Sequence, residues 1–160
     1  MKRSIVLIIA LVGGVLTWNA HSSSSCTQIY IDYGVINDTK VTKCVDISIE
    51  TNALNVLKSG GVELEGTAKY GNQIVCRVAG LPDVEPIGIK GHEQYIELCQ
   101  TMPPEFAYWA VLVKRHQTFP NPFDVRGKWG WAQTGIDKVV LKPGDSIGLV
   151  FSDNGKVRFP

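Results

Sequence analysis

The chain reads as an α+β domain, a mixed β-sheet with one short helix packed across it, preceded by a signal peptide. Three observations predict this. The first residues are basic and then purely apolar. Two β-rich runs follow, one of them alternating apolar and polar residues. A single short stretch then changes to helical spacing before β-rich runs resume.

Lys2 and Arg3 supply a positive start, and residues 5–16 hold no charge. That length fits the apolar region of a signal peptide and falls short of the roughly 20 residues of a bilayer span. A cut after Ser22 would place the small residues Ala20 and Ser22 where cleavage prefers them, whereas a cut after Ala20 would place Trp18 there. Retention as an anchor, or lipidation at Cys26, are the other end states. The expected division is a signal peptide over residues 1–22 and one extracytoplasmic domain over residues 23–160, either secreted or tethered to the outer face of the cytoplasmic membrane. Loss of the leader removes Lys2 and Arg3 and lowers the formal charge from +1 to −1. A neutral chain without a long basic run argues against nucleic acid as a partner, and it meets membrane only through its N-terminal segment.

Residues 28–33 are β-formers, and Gly34 with Asn37-Asp38 supplies turn chemistry. Residues 41–49 alternate as a half-buried strand does, so the two runs predict an opening hairpin. Thr51 or Asn52 can cap a helix that carries Ala53, Leu54 and Leu57 on one face and stops at Gly60-Gly61. Residues 74–78 read as a strand, residues 81–104 as an irregular segment rich in proline and glycine, and residues 107–113 as another strand. Residues 119–123 form a proline-stiffened loop. Residues 142–145 form a turn, residues 146–151 a late strand, and residues 153–155 a last turn before Val157 to Phe159. A mixed sheet with one helix laid across it is the β-grasp pattern.

Four cysteines stand in an exported chain, which predicts two disulfides out of three possible connectivities. Cys26–Cys44 would join cross-strand positions of the opening hairpin. Cys76–Cys99 would close the irregular segment, and such a crosslink reduces the entropy lost on folding by ~3 kcal/mol. No C-x2-C pair exists, and His92 stands alone in its loop, so no metal site is expected. Nor is an enzyme: there is no G-x-S-x-G elbow, no H-E-x-x-H and no glycine-rich phosphate loop opening a helix.

The candidate ligand-binding residues are therefore aromatic. Tyr108, Trp109, Trp129 and Trp131 offer broad apolar faces with a polar tip, suited to a flat ligand or a protein surface. Tyr108 and Trp109 alternate, so one of them faces the core. Trp129 and Trp131 stand two apart and share a face if extended. Phe119 and Phe123 flank the stiffened loop, and Arg77 could anchor a carboxylate or solvate the sheet.

The order of motifs over residues 28–151 resembles a family. Ile31-Asp32-Tyr33-Gly34, Cys44-Val45 and Leu54-x-x-Leu57-x-x-Gly60 come first. Val75-Cys76-Arg77-Val78-x-Gly80-x-Pro82, Cys99 and Pro103-Pro104-x-x-Ala107-Tyr108-Trp109 follow. Gly135, Lys142-Pro143-Gly144-Asp145 and Gly148-x-x-Phe151 complete the series. It is similar to secreted actinobacterial proteins related to the C-terminal domain of transcobalamin and intrinsic factor. The resemblance implies a β-grasp fold of the ligand-binding kind, which in the vitamin-B12 carriers closes over one face of the corrinoid. It implies a corrinoid such as cobalamin as ligand and a vitamin transporter of the envelope as partner. Without the carriers' helical barrel the chain would offer half a site. A cell-surface domain that binds other envelope proteins is the alternative expectation.

Overall fold

The computed structural model describes residues 26–116 and 127–160. The expected signal peptide over residues 1–22 and the aromatic pair Phe119 and Phe123 lie outside the described residues. Strands β1 (Thr27–Asp32) and β2 (Lys40–Val45) form the opening hairpin. A two-residue strand β3 (Thr51–Asn52) leads into helix α1 (Ala53–Ser59). Strands β4 (Leu64–Thr67) and β5 (Gly71–Val78) pair with each other in a separate bulged ladder. Then come β6 (Trp109–Lys114), β7 (Trp129–Trp131), β8 (Val140–Leu141) and β9 (Ser146–Phe151). The main sheet runs β2-β1-β9-β6-β7, and β3 pairs with β8. Strands β1 and β9 are parallel and the other neighbours in the main sheet antiparallel, so the sheet is mixed.

The alternation read in the sequence sorts the two faces. Ile29 and Ile31 of β1, Ile147, Leu149 and Phe151 of β9, and Trp109 of β6 build the main core with Ala53, Val56 and Leu57 of α1. A seven-residue helix is too short to hold itself together in water, so its ends are tied to the sheet. The Asn52 side chain accepts from the Leu54 N–H (2.8 Å) and donates to the Asp137 carbonyl. At the other end Lys43 of β2 donates to the Gly60 carbonyl (2.8 Å), which also sets a cation against the negative end of the helix.

The opposite face carries a second, smaller cluster of Ala110, Leu112 and Val150, with Tyr30, Tyr108, Trp129 and Val157 against it. Residues 157–159 form no strand. They run as irregular chain beside this cluster, after a single bridge between Asp153 and Lys156.

Both disulfides are present: Cys26 bonds to Cys44 and Cys76 to Cys99. The Cys26 sulfur thereby ties the start of β1 to β2. The Cys76–Cys99 bond closes most of the irregular segment 81–104, and Arg77 clamps the same segment. Its Nε donates to the Pro82 carbonyl (2.8 Å) and its Nη2 to the Glu97 carbonyl (3.0 Å), while Nη1 pairs with Glu65. Next to the disulfide, the buried Glu97 carboxylate accepts from the Tyr95 hydroxyl and from the Cys99 N–H (2.7 Å). Ile87 and Ile89 add buried side chains to the main core.

Two predictions come from this clamp. Replacing Arg77 by Met removes two bonds to carbonyls and strands those acceptors, because the guanidinium side chain is only 15% exposed. Glu65 is half exposed, so that ion pair contributes little. The expected loss is about 2 kcal/mol in urea unfolding of the oxidised chain, and an unchanged midpoint would refute the clamp. The second concerns pH. Burial, then the bond and charge of Glu97, push the Tyr95 phenol up from its ordinary 10.0. The folded state thus holds this proton more tightly than the unfolded chain. The stability it gives is complete below about pH 10 and is lost as the pH rises beyond that. Unfolding curves for Tyr95→Phe should fall less steeply than those of the parent between about pH 9 and 11.

Candidate functional site

The open face of the sheet gathers aromatics around a glycine. Trp129 and Trp131 lie opposite Lys114 and Leu112 of β6, so both rings share this face. Gly148, in the middle of β9, has no side chain, and Trp129 lies over it. A Cβ there would sit 3.1 Å from Trp129 Cζ3 and 3.3 Å from Leu112 Cβ. Tyr30 approaches Trp129 at 6.2 Å between ring centroids, and the Lys114 ammonium stands 5.5 Å from the indole centroid. Trp131 is less enclosed. It meets Phe159 edge-on at 5.9 Å and stays 47% exposed.

Two open grooves flank residues 131–134. One, of about 650 Å³, follows the outer side of β7, with Val113, Gly130, Val139 and Val140 among its walls. The other, of about 620 Å³, lies where β6 extends past the end of β7, between Ile74, Met102, Tyr108 and Val111. Trp131, Ala132, Gln133 and Thr134 line both. On this ridge the Ala132 backbone N–H donates to the Val111 carbonyl (2.9 Å), and the Gln133 side-chain Nε2 donates to the Trp131 carbonyl (3.1 Å). Beyond the ridge, Asp145 pins the sheet's corner by accepting from Arg115 Nη1 (2.8 Å), the His116 N–H (2.8 Å) and the Lys142 N–H (3.0 Å).

Of the residues singled out in the sequence, Tyr108, Trp129 and Trp131 are brought to the open face and its edge. Trp109 directs its ring into the core, edge-on to Tyr33 (5.5 Å) and Phe151 (5.3 Å), with its Nε1 donating to the Leu81 carbonyl. Its ring belongs to the main core, and it also contributes to the wall of the groove beyond the end of β7. Arg77 is likewise spent on its own chain. Its partners are two carbonyls and Glu65, and they leave the clamp rather than ligand anchoring as its role.

Tyr30, Lys114 and Phe159 belong to the face and were not singled out. The period of two finds Tyr30 and Lys114, which alternate with core residues of β1 and β6. Nothing local marks Phe159.

Among the described residues, the grouping of side chains close enough to share a metal ion is Cys76, Glu97 and Cys99. Its two sulfurs form a disulfide and its carboxylate is hydrogen-bonded, so it acts as a structural knot. His92 lies flat on Phe106, 3.6 Å between ring centroids and 2° between planes.

The close approach over Gly148 generates a prediction. Gly148→Ala would drive a methyl group into Trp129 and Leu112, at an expected cost of about 1–3 kcal/mol, with a changed indole emission as Trp129 is displaced. Parent-like stability and emission would mean that Trp129 is not seated on the sheet. Comparison with protein-family models, with curated proteins and with solved structures finds no match for the chain.

Proposed function

We propose that this chain is an exported, non-catalytic binding module that takes a planar, largely apolar ligand beside Trp131. The observation that carries the reading is the half-exposed indole on a rigid ridge between two grooves of about 620 and 650 Å³. Both volumes fall within the range of about 300–1,000 Å³ common to small-molecule sites. A flat ring stacked on Trp131 would bury apolar area on both partners, and a fixed indole loses little entropy when it does so.

The strand order supports a β-grasp reading of the fold: the first and last strands lie parallel at the centre, and the one helix packs across one face. The apolar leader and the two disulfides support export. Among the described residues no helix is long and apolar enough to cross a membrane. The narrowest form of the proposal is capture of a corrinoid such as cobalamin and its delivery to an envelope transporter. A cell-surface domain that docks other proteins is the second reading, and it draws on the exposed side chains of Leu98 and Met102 on either side of Cys99.

Calorimetric titration of the full oxidised chain with cobalamin and cobinamide tests the corrinoid form. The expected result is saturable micromolar binding, weakened about tenfold or more in Trp131→Ala. Absence of heat up to high micromolar ligand rejects the corrinoid and leaves other planar ligands to the experiment below.

A further inference from the structure

Among the described residues, the charged side chains that line the groove along β7 are all basic. Arg115, Lys128 and Lys138 line it, and no acid does among the described residues. The chain as a whole is close to neutral, with 16 basic and 15 acidic side chains, so three cations without an acid in one groove are a local feature. The companion groove is different. Its charged residue is Glu105, set among Ile74, Met102 and two prolines.

Two carboxylates lie nearby. Asp145 pairs with Arg115 at 2.8 Å and offsets its charge, while also accepting two backbone N–H groups, so the attraction for an anion rests on Lys128 and Lys138. That pairing, together with the Val140 carbonyl (2.7 Å), fixes the guanidinium at the end of the groove. Asp137 immediately precedes Lys138 in the same turn, and its Oδ1 is turned inward against Gly135. Lys128 and Lys138 are exposed, on the strand side and the turn side of the same groove. Between them the walls are apolar: Val113, Val139 and the edge of β7.

From this juxtaposition we infer that the groove selects a small organic anion, a flat apolar ring system bearing a carboxylate, sulfonate or phosphate group. This deepens the binding reading above and rests on it. The ring would lie on the valine walls along the edge of β7, and the acidic group would reach Lys128 and Lys138. Its attraction acts across partly exposed space, where a Debye length of about 8 Å at physiological salt makes it salt-sensitive. Apolar stacking is not weakened by salt in that way.

A matched dye pair separates the two contributions. 1-Anilinonaphthalene-8-sulfonate and N-phenyl-1-naphthylamine share one ring system and differ by the sulfonate. Both are titrated into the full oxidised chain by fluorescence, at low and at about 0.3 M sodium chloride, and into the Lys128→Glu/Lys138→Glu variant. The expected result is tighter binding of the sulfonate than of the neutral dye, weakened several-fold by salt and about tenfold or more by the double reversal. The neutral dye should bind the parent and the variant alike. Circular dichroism of the variant checks that two exposed substitutions leave the fold intact, and the salt series on the parent needs no variant. If both dyes bind equally and the reversal changes neither, the anion preference is overturned while the binding reading stands. If neither dye binds, both fall.

Discussion

Strand β9 is buried along its whole length because it lies between β1 and β6 and carries side chains into a cluster on each face. Its pairing with β1 is parallel, and a parallel pair cannot be closed by a tight turn. The chain between the opening hairpin and β6 leaves the main sheet, and β6 and β7 rejoin it before β9 arrives. The helix, the bulged β4–β5 ladder and the irregular segment 81–104 all belong to that excursion. The sheet's centre is complete only when the last strand arrives. Non-local pairing of this kind is slow to form, and covalent ties shorten the search.

The excursion is long, and magnitudes show why one tie is not enough. Ordering a residue's backbone costs roughly 1–2 kcal/mol, so a segment of more than twenty residues is expensive to fix. The Cys76–Cys99 bond, closing 23 residues of sequence separation, returns only ~3 kcal/mol. Burial of Ile87 and Ile89 adds about 1.5–3 kcal/mol each. The remainder must come from other apolar contacts and from backbone bonds such as Ala68 N–H to the Cys99 carbonyl (2.7 Å), with Arg77 and Glu97 holding the turns that present them. The disulfide thus acts with a polar knot, and the knot explains why a carboxylate and an arginine are carried inside this part of the chain.

How far the sequence disclosed this follows from the range of each interaction. The opening hairpin was legible because alternation in residues 41–49 and turn chemistry at Asn37 are local, although the strand ends at Val45, and so was the helix, with its asparagine cap and paired glycines. The mixed sheet with one short helix followed from counting such elements. Strand β4 was not legible: Leu64–Thr67 is short, half polar and bulged at Gly66, so it has no clean period. The last aromatic, Phe159, follows a turn, and nothing near it in sequence indicates its contact with Trp131, nearly thirty positions away. Arg77 alternated correctly with the buried Cys76 and Val78, but which acceptors it would find depended on a loop whose path no local rule gives. For the site, the shared face of Trp129 and Trp131 came from spacing alone. The grooves did not, because they arise from the step between a six-residue strand and a three-residue one.

That step also distinguishes two indoles that the sequence presents as a pair. Trp129 stands near the far end of β6, where Gly148 and Leu112 lie beneath it and Tyr30 and Lys114 close around it. Its faces are already used, and it stiffens the sheet. Trp131 stands at the other end of β7, where β6 continues without a neighbour strand and both grooves open. Its ring is held at one side by Phe159 and by the anchored backbone of residues 131–133, and is otherwise free to meet another surface. An indole that is positioned but not covered retains most of the apolar contact it can make, while much of the ordering cost has been met in folding. The same three-residue strand thus places one indole over the sheet and leaves the other half exposed at its end.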